Sequence, residues 1–188
     1  MNLPNKLSLL RIMMIPVMVV LMIPGTLVCS LLAAAVFGAA SFTDYLDGHI
    51  ARSRNLVTDF GKFIDPVADK LLVLSAMVML IHNGLLPAWV VVIVLARELA
   101  VDGLRLVAAT KGTVIAAGKL GKLKTVSQMV MILWLMILRL PVLTGLACNA
   151  GTPANVLSTL MAFWVAAITL WSGMDYFMKN SSVILESK

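Results

Sequence analysis

A chain of 188 residues and 20.2 kDa is the size of one soluble domain, but 61% of it is apolar, its mean hydropathy is +0.99, and only 13% of its residues are charged. No water-soluble core of that size encloses so much apolar surface, so the composition excludes an ordinary globular domain and points to the membrane. Fifteen Lys and Arg against nine Asp and Glu leave a net charge of +6; with no soluble basic segment to carry it, that excess excludes a nucleic-acid partner and suits anionic headgroups or an anionic substrate.

Six apolar stretches approach the roughly 20 residues that a helix needs to cross a bilayer. They predict an all-α, polytopic membrane protein, a single domain over residues 1–188. The first stretch, 7–24, follows Asn2-Leu-Pro-Asn-Lys6 and contains Arg11, so the chain is expected to open with an N-terminal interfacial segment lying partly along the membrane surface. No small-residue cleavage site follows before further apolar segments, which predicts a retained span rather than a removed signal. The second stretch, 27–49, and the third, 64–82, are joined by a polar connection over 50–63. The fourth, 86–107, carries Arg97, Glu98, Asp102 and Arg105, the fifth covers 122–140, and the sixth covers 154–178.

The connections around Pro24–Gly25, His82–Pro87 and Arg139–Pro153 hold one basic residue, Arg139. The other connections and the two ends hold Lys6, Arg11, Arg52, Arg54, Lys62, Arg105, Lys111, Lys119, Lys122, Lys124, Lys179 and Lys188. By the positive-inside rule both termini are cytoplasmic, which makes this a multi-pass protein of the cell membrane. Cys29 and Cys148 are too few for a disulfide framework and read as small packing residues. Met13, Met14, Met18 and Met22 read as packing or lipid-facing side chains, and Trp89 as a member of an aromatic belt.

Chemistry concentrates where the second and third spans meet. Asp44 and Asp47 are three residues apart, Asp65 and Asp69 four apart, so on helices each pair shares a face. Four carboxylates on two neighbouring helices repel one another unless cations lie between them, and an oxygen-only donor set favours Mg2+ or Mn2+ over zinc. Gly48 and Ala51 keep the helix surface shallow for a polar ligand, Arg52 is placed to fork onto a phosphate, and Gly61 permits either a sharp re-entry or close ligand approach before Pro66 starts the third helix. The plain alternative, solvated acids at helix ends, explains one such residue better than four at helical spacing with glycines between them. His49 stands at an unconstrained position of the motif, and His82 is expected as a loop residue on the far side of the membrane.

Residues 44–69 fit the pattern D-x2-D-G-x2-A-R-x8-G-x3-D-x3-D without exception, and so the chain resembles the CDP-alcohol phosphotransferase family. The likeness extends to Asn2-Leu-Pro-Asn5, to Ala96-Arg-Glu98 with Leu104-Arg105, to Gly118-Lys-Leu-Gly-Lys122-Leu-Lys124-Thr125 and to Leu170-Trp-Ser, which look like members that act on glycerol 3-phosphate. The resemblance implies six transmembrane helices, a homodimer in membrane lipid, and two divalent ions, Mg2+ or Mn2+. It further implies transfer of the phosphatidyl group from CDP-diacylglycerol to sn-glycerol 3-phosphate with release of CMP, at a site facing the cytoplasm. On that basis Asp44, Asp47, Asp65 and Asp69 would ligate metal, Asp69 would also act as the base on the acceptor hydroxyl, and Gly48, Ala51, Arg52 and Gly61 would line the CDP-lipid site.

The acceptor side rests on charge. Arg105, Lys122, Lys124 and Lys119 form a basic collar that suits a dianionic acceptor phosphate, and Arg97 on the fourth span is a weaker candidate because Glu98 or Asp102 would pair with it. An i,i+3 pair between Asp102 and Arg105, and lysines that merely face anionic lipid, is the plainer account. Other functions remain open at this point: a relative with inositol phosphate, serine or a phospholipid as acceptor, a divalent-cation transporter, or an inactive assembly protein. The cytoplasmic position of the acids and the lack of paired broken helices weigh against transport.

Overall fold

The computed structural model describes residues 3–24, 26–53, 59–112, 115, 118–138 and 153–180, with the side chains of 3–5, 27, 44–53, 59, 60 and 62 outside the description. Among the described residues there are six α-helices and no strand: α1 (Leu3–Met22), α2 (Leu27–Ser53), α3 (Asp59–His82), α4 (Ala88–Thr110), α5 (Lys119–Leu138) and α6 (Pro153–Lys179). Each coincides with one of the six apolar stretches.

The breaks have local causes. Thr26 caps α2, its Oγ1 accepting from Cys29 N at 3.3 Å. At the end of α3, Gly84 takes φ +70°, with Gly84 N donating to Ile81 O and Leu85 N to Leu80 O, both at 2.9 Å. A side chain at Gly84 would be strained, and this left-handed closure stops the helix shortly before Pro87 caps α4.

α1 begins at Leu3, four residues before the first apolar stretch, so the N-terminal segment is helical and continuous with the rest of α1. Pro66 does not start α3 but lies inside it, the helix having begun at Asp59. The carbonyl that Pro66 leaves without its usual partner belongs to Lys62, in the first turn, where one lost bond costs least. Gly61 is accordingly a buried helical residue of that turn, not a point of re-entry.

α1 packs along α2 and α3, α6 along α4 and α5, and α5 joins the two groups by touching α2 and α3. Buried positions recur at helical spacing: Ser8, Arg11, Ile15, Met18 and Met22 on α1, then Ser30, Ala33, Phe37 and Ala40 on α2. They meet Leu72, Ala76, Met77 and Leu80 of α3 in one core that continues to Val90, Val94, Met131 and Leu135.

The exterior is more apolar than that of a water-soluble protein, and several polar side chains are inside. Arg11, Lys124, Gln128, Thr169 and Ser172 are buried, while Leu106, Phe163, Trp171, Met174 and Met178 are more than half exposed. Polar side chains inside and large apolar ones outside are what a hydrocarbon solvent selects. α5 and α6 are each long and apolar enough to cross a membrane.

Helix hydroxyls in this fold mostly turn back on their own backbone. Ser41, Thr43, Thr125, Ser158 and Ser172 each donate to a carbonyl three or four residues earlier, at 2.8–3.2 Å.

Candidate active site

α3, α4, α5 and α6 converge on a cleft of about 260 Å³. α3 brings Asp69 and Lys70; α4 brings Arg97, Glu98, Asp102 and Arg105; α5 brings Gly121, Lys122, Lys124 and Thr125; α6 brings Ser172, Asp175 and Tyr176. The 3.6-residue period explains the choice within α4, where 98, 102 and 105 fall on one stripe. Val101, Leu104 and Tyr176 form a small apolar cluster of their own, of which Tyr176 lines the cleft.

The charges are organised around Glu98. Its Oε1 receives the Lys124 ammonium in a short contact and Arg97 Nη1 at 3.3 Å, and its Oε2 lies 3.9 Å from Lys70 Nζ. Lys70 makes its closest pair with Asp102. One carboxylate of α4 thus holds cations from α3, α4 and α5. The side chains of Glu98, Arg97 and Lys124 are 14%, 12% and 5% exposed, so the pairing is what permits these charges to be inside.

Arg105 is held differently. Its Nε donates to Tyr176 Oη at 3.0 Å and its guanidinium carbon lies 5.4 Å from the ring centroid of the same tyrosine. The plainer account, an Asp102–Arg105 pair, does not hold: Asp102 pairs with Lys70 and Arg105 with Tyr176. Among the described residues, neither Arg105 nor Lys122 has a carboxylate within ion-pair distance. Both line the cleft, so both present uncompensated charge to whatever enters it.

Of the acceptor residues expected from sequence, Arg105, Lys122 and Lys124 line the cleft, with Lys124 committed to Glu98, whereas Lys119 is exposed at the start of α5 and is not in the lining. Asp69 lines the cleft as well, and Asp65 lies one helical turn before it on α3. Asp44, Asp47, Gly48, Ala51 and Arg52 belong to α2, which stays helical to Ser53, so the two acids do share a helix face; their side chains lie outside the described residues.

A hard divalent cation fits this donor set. The acids come from two uninterrupted helices at separations of three and four residues, and all the donors are carboxylate oxygens. Among the described residues, no three His, Cys, Asp or Glu stand together as a metal site; the side chains of Asp44 and Asp47 lie outside them.

Several participants were not singled out in the sequence. Lys70, Asp175 and Tyr176 line the cleft, and Ser8 donates through Oγ to Asp65 Oδ1. Arg11, counted among the topology-setting charges, is fully buried three residues from Ser8 on α1. Its place on the buried stripe of α1 was the available signal.

An all-helical fold with a paired-acid motif and a charged cleft defines a class, and the chain matches the sequence model of the CDP-alcohol phosphatidyltransferase family over residues 1–174. It belongs to that family, whose members are membrane enzymes that depend on divalent metal. Among its relatives, the CDP-diacylglycerol–glycerol-3-phosphate 3-phosphatidyltransferase of Bacillus subtilis is 43% identical over 192 residues, covering 95% of each chain. Proteins of the same name from Rickettsia typhi and Salmonella choleraesuis are 38% identical over 177 residues and 33% identical over 191 residues. The first of these alignments covers 94% of this chain and 95% of the relative, the second 98% of each.

Proposed function

We propose that this protein transfers the phosphatidyl group of CDP-diacylglycerol to sn-glycerol 3-phosphate, giving phosphatidylglycerophosphate and CMP in the synthesis of anionic phospholipid. The observation that carries this reading is the near full-length similarity to relatives bearing that name. The cleft supports it: Arg105 and Lys122 offer two charges to a dianion beside Asp69.

In this reading Asp44, Asp47, Asp65 and Asp69 hold Mg2+ or Mn2+, as two ions. The chemistry supplied by bound cations there is neutralisation of the pyrophosphate and of CMP as it departs. Gly48, Ala51, Arg52 and Gly61 accommodate the CDP moiety. Arg105 and Lys122 bind the acceptor phosphate, with Lys124 behind them; Lys119 attracts the acceptor from the rim. The acceptor hydroxyl attacks the phosphorus bearing diacylglycerol, the bond from that phosphorus to the CMP oxygen breaks, and the hydroxyl proton passes to a carboxylate oxygen of Asp69. Since phosphoryl-type transfer asks little covalent work of the protein, positioning and charge compensation carry most of the rate.

The six helices span the cell membrane as one domain, with both termini and the cleft on the cytoplasmic side, and the chain works as a homodimer. The apolar exterior of the bundle and the distribution of Lys and Arg support that placement.

The test is product identification by mass spectrometry after the purified protein is incubated with CDP-diacylglycerol, divalent metal and a panel of acceptors. Phosphatidylglycerophosphate from glycerol 3-phosphate alone is the expected result; preference for serine or inositol phosphate would refute the acceptor assignment.

A further inference from the structure

Ser8 makes a hydrogen bond that leaves its own helix. Ser41, Thr43, Thr125, Ser158 and Ser172 donate to carbonyls of their own helices. The Oγ of Ser8 crosses from α1 to α3 and donates to Oδ1 of Asp65, 57 residues away. Ser8 is fully buried on the stripe that packs α1 against its neighbours, and Asp65 is half-buried.

We propose that Ser8 is a positioning residue for the metal site: it fixes the rotation of the Asp65 carboxylate and thereby raises the affinity of the four-acid set for a divalent cation. The inference rests on the reading of Asp65 as a metal ligand. A carboxylate in a helix is free to turn about its last torsion, and a free rotor must be ordered when a cation binds. A buried donor on one oxygen removes that freedom beforehand and leaves the other lone pairs for the metal. Outer partners of this kind ordinarily change metal affinity by about ten- to a hundredfold. The arrangement also gives α1 a part in the site although it contributes none of the four acids.

The experiment uses the full chain purified in detergent, with Mn2+ alone as the probe and free Mn2+ read from its paramagnetic resonance signal. Ser8→Val and Ser8→Thr form a pair of equal shape, and only the threonine keeps a hydroxyl. Ser8→Val is expected to weaken Mn2+ binding by about tenfold or more, Ser8→Thr to stay within about threefold of the wild type, and Ser8→Val added to Asp65→Asn to cause no further loss. If the valine protein does not fold, Ser8→Ala replaces it, being smaller and favourable in a helix. Equal affinity in the hydroxyl-bearing and hydroxyl-free proteins would overturn the role of Ser8, as would a loss that persists undiminished on the Asp65→Asn background. Unchanged affinity in Asp65→Asn by itself would overturn the underlying metal assignment, so the two failures are told apart.

Discussion

A methyl group at Gly173 of α6 would stand 3.2 Å from Cγ of Arg97 on α4. On the other side, one at Gly121 of α5 would stand 3.5 Å from Nη2 of the same arginine. Arg97 therefore reaches the cleft through a slot made by two glycines on two different helices. Its Nη1 is fixed on Glu98, so the side chain has little room to give.

Gly173→Ala should displace Arg97 and destabilise the protein by about 1–3 kcal/mol, the usual cost of overpacking. The Arg97→Ala background should remove that effect, because the alanine then fills vacated space. Thermal unfolding of the single and double variants in detergent checks this; additive losses would mean that Gly173 serves some other contact.

Glu98→Gln should be severe for a different reason. It removes the shared anion and leaves Lys124 and Arg97 inside without compensation, a situation that ordinarily costs about 3–5 kcal/mol. Pairing the change with Lys124→Met should restore part of the loss in the same unfolding assay.

Arg105→Ala and Lys122→Ala should raise KM for glycerol 3-phosphate while leaving KM for CDP-diacylglycerol nearly unchanged. A lost charge-assisted contact is worth about 1.5–3 kcal/mol, or roughly tenfold to over a hundredfold. Tyr176→Phe, which removes the acceptor of the Arg105 Nε hydrogen bond, should give a smaller rise of about twofold to tenfold. Lys119→Ala, at the exposed rim, should give the smallest rise of the set. Initial rates with each substrate varied in turn distinguish these cases, and equal effects on both substrates would indicate general damage instead.

Activity should vanish with EDTA and return with Mg2+ or Mn2+. Asp69→Asn should bind CDP-diacylglycerol nearly as the wild type does yet turn over about 10²–10⁴-fold more slowly, as expected for loss of a positioned base. Calorimetric lipid binding combined with rate against metal concentration is the check. Near-wild-type turnover at high metal would make Asp69 chiefly a ligand.

The helices were legible because apolar runs end at Pro24–Gly25 and at Gly84 to Pro87, where backbone chemistry also ends a helix. Their polar ends were less so: α2 continues to Ser53 and α3 begins at Asp59, since charge limits a membrane span but does not stop a helix. Within the site, Asp69, Arg105, Lys122 and Lys124 were found from spacing and charge on single helices. Lys70, Tyr176 and Ser8 were not, because periodicity tells which residues share a face and not which distant helix that face will meet. The fate of Asp102 makes the point: spacing offered its i+3 neighbour Arg105 as one possible partner, and Lys70, 32 residues away, holds that place.

The cleft is finished by Asp175 and Tyr176, at the far end of the last described helix, just beyond residue 174 where the family match stops. That end of the chain is therefore no spare handle. A truncation inside the last turns of α6 would strip Arg105 of its aromatic support and take Asp175 out of the cleft lining.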